Sequence, residues 1–201
     1  MKGFKLLMVV LGSILVSLGV SIAVNSGLGV DPITLLWTGI SQVLNITLGQ
    51  ASMLTSAIML AIVLVMDRSQ INIGTIVNPF IVGVGTDYFI AHGFTSNNMA
   101  VNIALLLIGL ICLGVGLGVY TYANFGRGPY EALVLALVKK FNTKLVYVRY
   151  IFDFSFLIIG ILLGAKLSIG PIIALMIMGY IIQESMKTLG RVEKFRLINE
   201  Y

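Results

Sequence analysis

The chain is 201 residues long, 58% hydrophobic and only 10% charged, with a formal net charge of +5 and a mean hydropathy of +1.03. A soluble domain carries about 25% charged residues, so this composition excludes an ordinary soluble enzyme and a disordered chain, and it argues against a nucleic-acid binder. What remains is an all-α polytopic membrane protein. At about 20 residues per span, the length allows roughly six to eight crossings in a single membrane domain. The single cysteine, Cys112, lies in an apolar run, so no internal disulfide can form. One histidine and one cysteine leave too few ligands for a zinc, haem or iron–sulfur site, so no metal and no cofactor is expected.

In chain order, Met1-Lys2-Gly3-Phe4-Lys5 precedes an apolar stretch to about Val24. A basic start and an apolar run also describe a signal peptide. This run is as long as a full span and lacks a clear small-x-small cleavage site, so an uncleaved first span is expected. Five further long apolar segments follow, at about Ala51–Met66, Ile73–Ala91, Met99–Tyr122, Tyr147–Leu163 and Ile169–Met186. Two shorter ones, Ile33–Leu44 and Tyr130–Phe141, are each about 18 Å long as helix, too short for a hydrocarbon core of about 30 Å. Each follows a Gly/Pro cluster, Gly27-Leu28-Gly29-Val30-Asp31-Pro32 or Gly126-Arg127-Gly128-Pro129. Proline suits the first turn of a helix, where its missing N–H is not needed.

Basic residues test the topology. With six spans and the N-terminus inside, twelve of the thirteen Lys and Arg residues fall on the cytoplasmic side and only Lys166 falls outside. If the two short segments also cross, Arg68, Arg127 and Lys166 all lie outside. The positive-inside rule therefore prefers six spans over eight, with both termini and a tail at 188–201 in the cytoplasm.

The two halves match at an offset of 97. Gly12, Gly19, Gly29, Pro32 and Asn45 return as Gly109, Gly116, Gly126, Pro129 and Asn142, and after a one-residue slip Gly74 and Gly83 return as Gly170 and Gly179. Glycine and proline mark backbone geometry, so their recurrence means more than recurring leucines. Repeat one runs from about residue 5 to 91 and repeat two from about 99 to 187. Three spans per half is an odd number, which inverts the second half relative to the first; eight spans would make the halves parallel. Inverted repeats with broken helices near the midplane are a transporter design.

The string Gly27–Pro32, the segment Leu48-Gly49-Gln50-Ala51-Ser52, and Gly74-Thr75 with Asn78 and Asp87 resemble the YczE/YyaS/YitT group of bacterial integral membrane proteins, over about Gly12 to Gln183. That group often carries an acidic residue two positions after the proline. Here the first half departs from the pattern with Thr34, and the second keeps it with Glu131. The resemblance implies a multi-pass protein of the bacterial cell membrane and permease-like transport, with no substrate attached.

A re-entrant placement would carry residues 25–32 into the membrane and bring Ile33–Leu44 back out. The helix N-terminus would then point inward, where its free N–H groups and dipole attract an anionic group. Irregular backbone at that depth needs protein or a water-filled cavity around it. The short helices could also lie flat in the interface or cross the membrane; the re-entrant placement is preferred. Ionisable groups inside membranes are costly and usually functional. Asp153 lies about one turn inside the fifth span with Arg149 four residues earlier on the same face, which an internal ion pair would also explain. Glu131 stands in the first turn of its short helix, where the dipole favours a carboxylate. Asp31 and Asp87 fit solvated mouths as well as a site.

The candidate substrate-binding set is Asp31, Pro32, Thr34, Trp37, Asn78, Arg127, Pro129, Glu131, Arg149 and Asp153. Asn25, Ser41, Asn124 and Gln183 could join it, and Trp37 and Tyr130 could supply aromatic walls. Tyr120, Tyr122 and Tyr201 are expected as interface anchors. No HExxH, GxSxG or Walker pattern occurs, and Gly83-Val84-Gly85-Thr86-Asp87 only approaches a GxGD protease motif, so no enzyme is expected. The expected function is a small-solute transporter or permease in the lipid bilayer, with its site between the two repeats near Pro32 and Pro129, a small-molecule substrate carrying an anionic group, and homodimers or partner subunits open. The alternative is an accessory or assembly protein, or the substrate-binding membrane subunit of a multi-component importer.

Overall fold

A computed structural model describes residues 2–199 of the chain. Tyr201, expected at the interface, lies outside the described residues. Among those residues the backbone forms eight α-helices, one 3-10 turn and no strand: α1 (Lys2–Asn25), α2 (Pro32–Leu44), α3 (Leu48–Met66), α4 (Ile73–Ala91), α5 (Met99–Tyr122), α6 (Pro129–Phe141), α7 (Leu145–Leu162) and α8 (Ile169–Asn199). Six are long and apolar enough to cross a membrane, while α2 and α6 have 13 residues each. Large apolar side chains such as Leu7, Ile58, Phe80, Val84, Ile158 and Met176 face outward, while Ser13, Ser17, Ser21, Thr75, Asn78 and Thr86 are buried. An apolar exterior over a partly polar interior is what a bilayer solvent selects, because lipid tails are as apolar as leucine and buried polar groups then tie helices together. The protein is a multi-pass membrane protein in contact with lipid.

The helix directions can be read from side-chain neighbours. Any Cβ added at Gly12 would stand 2.9 Å from the Gly116 carbonyl oxygen, and one at Gly19 would stand 2.7 Å from that of Gly109. Residue numbers therefore rise along α1 as they fall along α5, so the two helices are antiparallel. By contrast, Asn78 Nδ2 donates to Ser13 Oγ at 2.8 Å and Ser21 Oγ donates to the Thr86 carbonyl at 3.0 Å, so α4 runs parallel to α1. Gly114 meets Ile181 and Gly118 meets Ser185, so α8 runs parallel to α5 in the same way. The corresponding helices α1 and α5 point in opposite directions, and the two halves are inverted. An even number of crossings before α5 would have made α1 and α5 parallel. The antiparallel pair thus decides for six spans and against crossing by α2.

The inversion repeats in detail. The Gly74 N–H donates to the Phe125 carbonyl at 3.2 Å, and the Gly170 N–H donates to the Leu28 carbonyl at 2.8 Å. Each bond ties the start of a half's last helix to the break of the other half. Both short helices start at proline and end at an asparagine in the left-handed region, Asn45 and Asn142. Gly29 and Gly126, at equivalent places in the two breaks, have φ of +77° and +130°, backbone that an L side chain rarely adopts.

The breaks are re-entrant. Gly160 packs on the Leu35 carbonyl, Gly39 on Gly160 and Leu163, and Gly164 on Gln42. Thus α2 runs parallel to α7, with its first turn deeper than Gly160 and its end level with the Gly164 turn. Neither a flat connector nor a crossing helix would give this register. On the other face α6 packs beside α3, and Lys139 Nζ meets Asp67 Oδ2 at 2.9 Å, an ion pair between the halves. The Ser69 hydroxyl, then Lys139 and Gln70, hold the Asp67 carboxyl below the usual carboxylate range.

The crossing of α1 and α5 has no room for a side chain. Gly19→Leu should lower the melting temperature or abolish monodisperse protein in detergent, since overpacking a well-packed core typically costs about 1–3 kcal/mol, occasionally more. Gly179→Ala, where an added Cβ meets nothing within 4 Å, should leave the protein intact. Equal melting temperatures for the two variants would contradict the close crossing.

Candidate functional site

The inversion brings the N-termini of α2 and α6 to one cavity of about 280 Å³ between the halves. Of the residues expected from sequence, Asp31, Pro32, Thr34, Trp37, Asn78, Pro129, Glu131, Arg149 and Asp153 all line it. Arg127 does not; it lines an adjoining cavity that shares Tyr120, Tyr130, Glu131, Leu145 and Arg149 with the first. That second cavity reaches Tyr122 and Met186, so the space continues toward the face where α5 ends and α1 begins. Neither cavity is lined by the second half of α2 or by residues 163–168.

Proline at the first position of each short helix fixes where the backbone turns from extended to helical. At α2 the Asp31 side chain accepts the Thr34 N–H at 3.1 Å, an N-cap bond. At α6 the cap is Gly128, which offers no side chain, and Glu131 occupies the first turn instead. The two helix ends therefore carry one resident carboxylate each, by different routes.

Asp153 is 8% exposed. Its Oδ1 accepts the Tyr130 hydroxyl at 2.7 Å. Its Oδ2 lies 3.9 Å from Arg149 Nε, a loose pair. The Arg149 guanidinium also stands 5.9 Å from the centre of the Tyr130 ring, within cation–π range. Tyr130, Asp153 and Arg149 thus form one polar cluster linking α6 to α7, with Phe152 and Phe156 against the Tyr130 ring. The ion pair read on α7 is present, and the stronger bond to its carboxylate comes from a tyrosine on another helix.

Two buried side chains on the cavity wall have a polar atom with no hydrogen-bond partner: Trp37 Nε1 and Tyr120 Oη. Their residues are 7% and 1% exposed. An indole N–H can only donate, and a buried donor left unpaired is costly.

Other expectations are corrected here. Tyr120 is not an interface anchor; it is buried on the cavity wall because α5 packs along α1 at that turn. Asn25, Ser41 and Gln183 line neither cavity, and Ser41 instead donates to the Ile46 carbonyl at 2.6 Å, closing the end of α2. Asn124 lines the second cavity. Asp87 accepts the Thr47 hydroxyl at 2.5 Å and the Gly49 N–H at 2.8 Å, so it ties α4 to the start of α3. Asn78 lines the cavity while its amide is committed to Ser13. Ser52, Ser56, Tyr120 and Tyr150 also line the cavity and were not among the expected residues. For the serines, polar residues in a long apolar span were the available signal.

A family model described as "Family of unknown function (DUF6198)" matches residues 3–187. The "Uncharacterized protein YyaS" of Bacillus subtilis (strain 168) is 24% identical over 184 residues, covering 90% of this chain and 92% of that protein. The "Uncharacterized membrane protein YczE" of the same organism is 25% identical over 176 residues, covering 87% and 82%. An "Uncharacterized protein" of Haemophilus influenzae is 27% identical over 186 residues, covering 89% and 81%. No solved structure matches.

Removing the Tyr130 hydroxyl leaves a buried carboxylate with only a loose partner. Tyr130→Phe should lower stability by about 1–3 kcal/mol, the usual cost of an unsatisfied buried polar group. Thermal denaturation in detergent measures this, and an unchanged melting temperature would show that the Tyr130–Asp153 bond contributes nothing.

Proposed function

The chain belongs to the family of unknown function DUF6198, and from that premise we propose that it is a small-solute transporter or permease, not an enzyme, with its site in the cavity between the inverted halves. The observation that supports this most is the convergence of two re-entrant helix N-termini on one cavity from opposite sides, with ionisable residues Asp31, Glu131, Arg149 and Asp153 on its wall. Inverted repeats whose broken helices meet at a central site are the arrangement by which one half can rock against the other and expose the site to each side in turn. The α1–α5 crossing is the natural pivot. The bonds from Gly74 to Phe125 and from Gly170 to Leu28 join each break to the opposite half, so rocking the halves moves the site with them.

The chain sits in the bacterial cell membrane with both termini in the cytoplasm. The basis is the crowding of Lys5, Arg68, Lys139, Lys140, Lys144, Lys187 and Arg191 at the face that bears the start of α1, against Lys166 at the other. On this reading the adjoining space lies toward the cytoplasm, the side that an inward-open transporter exposes. The Lys139–Asp67 pair lies on that face.

Alternation can be tested without knowing the solute. In a Cys112→Ser background, Ser56→Cys places one thiol on the cavity wall. Impermeant thiol reagents applied to right-side-out and to inside-out vesicles should both modify it, at different rates. Modification from the cytoplasmic side alone would mean a static vestibule and would remove the transport reading.

A further inference from the structure

We propose that the cavity takes an organic cation, a small amine or quaternary ammonium with an apolar body and one hydrogen-bond acceptor. The assignment rests on the cavity being the solute site. Free helix N-termini would instead draw an anion, but these are not free. Asp31 caps α2 with its own carboxylate, and Glu131 sits in the first turn of α6. The positive ends of both dipoles already face a resident negative group, so their pull on a ligand anion is offset.

The remaining charge has the opposite sign. Asp31, Glu131 and Asp153 line the cavity, against the single guanidinium of Arg149; Arg127 is set apart in the adjoining space. With the two helix N-termini counted at about +0.5 each, the three carboxylates still exceed the one guanidinium on this wall. Arg149 is also more accessible than its partner, at 38% side-chain exposure against 12% for Asp153, so water screens its field more than that of Asp153. A ligand cation is the complement that a net-negative pocket lacks.

The rest of the wall fits the same ligand. Trp37, Tyr120, Tyr130 and Tyr150 present aromatic surface, and aromatic faces attract substituted ammonium groups that are too weakly hydrated to resist desolvation. Val20, Met59 and Leu113 suit an apolar body. Independently of charge, the indole N–H of Trp37 is buried with no partner. It lies on α2 at the cavity wall and fits one carbonyl or ether oxygen of the ligand. The cation would then sit toward Glu131 and Asp153.

Trp37 is the chain's only tryptophan, so its fluorescence reports on this site alone. The purified full chain in detergent is titrated with acetylcholine, with its neutral carbon isostere 3,3-dimethylbutyl acetate, and with the anion monomethyl succinate. A saturable Trp37 response to acetylcholine is expected. The neutral isostere should bind about tenfold or more weaker, the scale of a desolvated cation–π and charge contact. Glu131→Gln should weaken the cation and leave the isostere unchanged. Equal binding of cation and isostere, tighter binding of the anion, or no saturation by any of the three would each overturn the assignment, and none of these needs a variant that folds. Uptake of the same compounds into liposomes separates the two claims. Cation binding without saturable uptake would keep the cation site and remove the transport reading, while saturable uptake of the anion alone would do the reverse.

Discussion

Everything else in this structure depends on the contact between α1 and α5. Four glycines, Gly12, Gly19, Gly109 and Gly116, bring two backbones so close that a single added carbon at any of them would strike the opposite helix. The pairs are reciprocal: Gly12 meets Gly116 as Gly109 meets Gly19. In a bilayer no hydrophobic force drives one apolar helix onto another, and close packing between small residues takes its place. Because the two helices are equivalent members of the two repeats, their antiparallel contact sets the axis about which the halves are related. It also fixes the number of crossings between them.

The cavity follows from that axis. Inversion places the two breaks on opposite faces and aims both short helices at the same interior point. The irregular backbone of each break is paired with the last helix of the other half through the Gly74–Phe125 and Gly170–Leu28 bonds. Backbone polar groups at that depth must be satisfied within the protein, and here the satisfaction crosses between repeats. A small serine-rich face on α1 adds side-chain ties, with Ser13 to Asn78 and Ser21 to the Thr86 carbonyl. The interior is therefore held by polar bonds and close packing, and the exterior is left to lipid.

Much of this was legible in the sequence because it is written in residues with special backbone behaviour. Glycine and proline recur at an offset of 97, and the same positions carry the helix crossing and the two breaks. The six long spans followed from apolar length alone. The polar candidates were found because charge inside a membrane is rare, and nine of the ten named residues meet at one cavity. What escaped was pairing between distant helices. Nothing local to Tyr130 or Asp153 says that they bond across 23 residues of chain, so Asp153 was matched with Arg149, its neighbour four residues away. Tyr120 near a helix end has the pattern of an interface anchor, and only the packing of α5 on α1 reveals it as buried. The serines at positions 13, 17 and 21 lie four apart on one helix face and could have marked α1 as central. On the same helix, Gly12 and Gly19 mark the repeat by returning as Gly109 and Gly116.

The central claim is the inversion of the two halves, and the residues that close the short helices test it most directly. Asn45 and Asn142 are equivalent by repeat and stand in the same left-handed backbone. In a Cys112→Ser background, a single cysteine at each position is challenged with an impermeant thiol reagent in intact cells and again after permeabilisation. Inverted halves place the two on opposite faces: the cysteine at 45 should react in intact cells and the one at 142 only after permeabilisation. The same accessibility at both positions would contradict the inverted architecture and, with it, the cavity's two-sided construction.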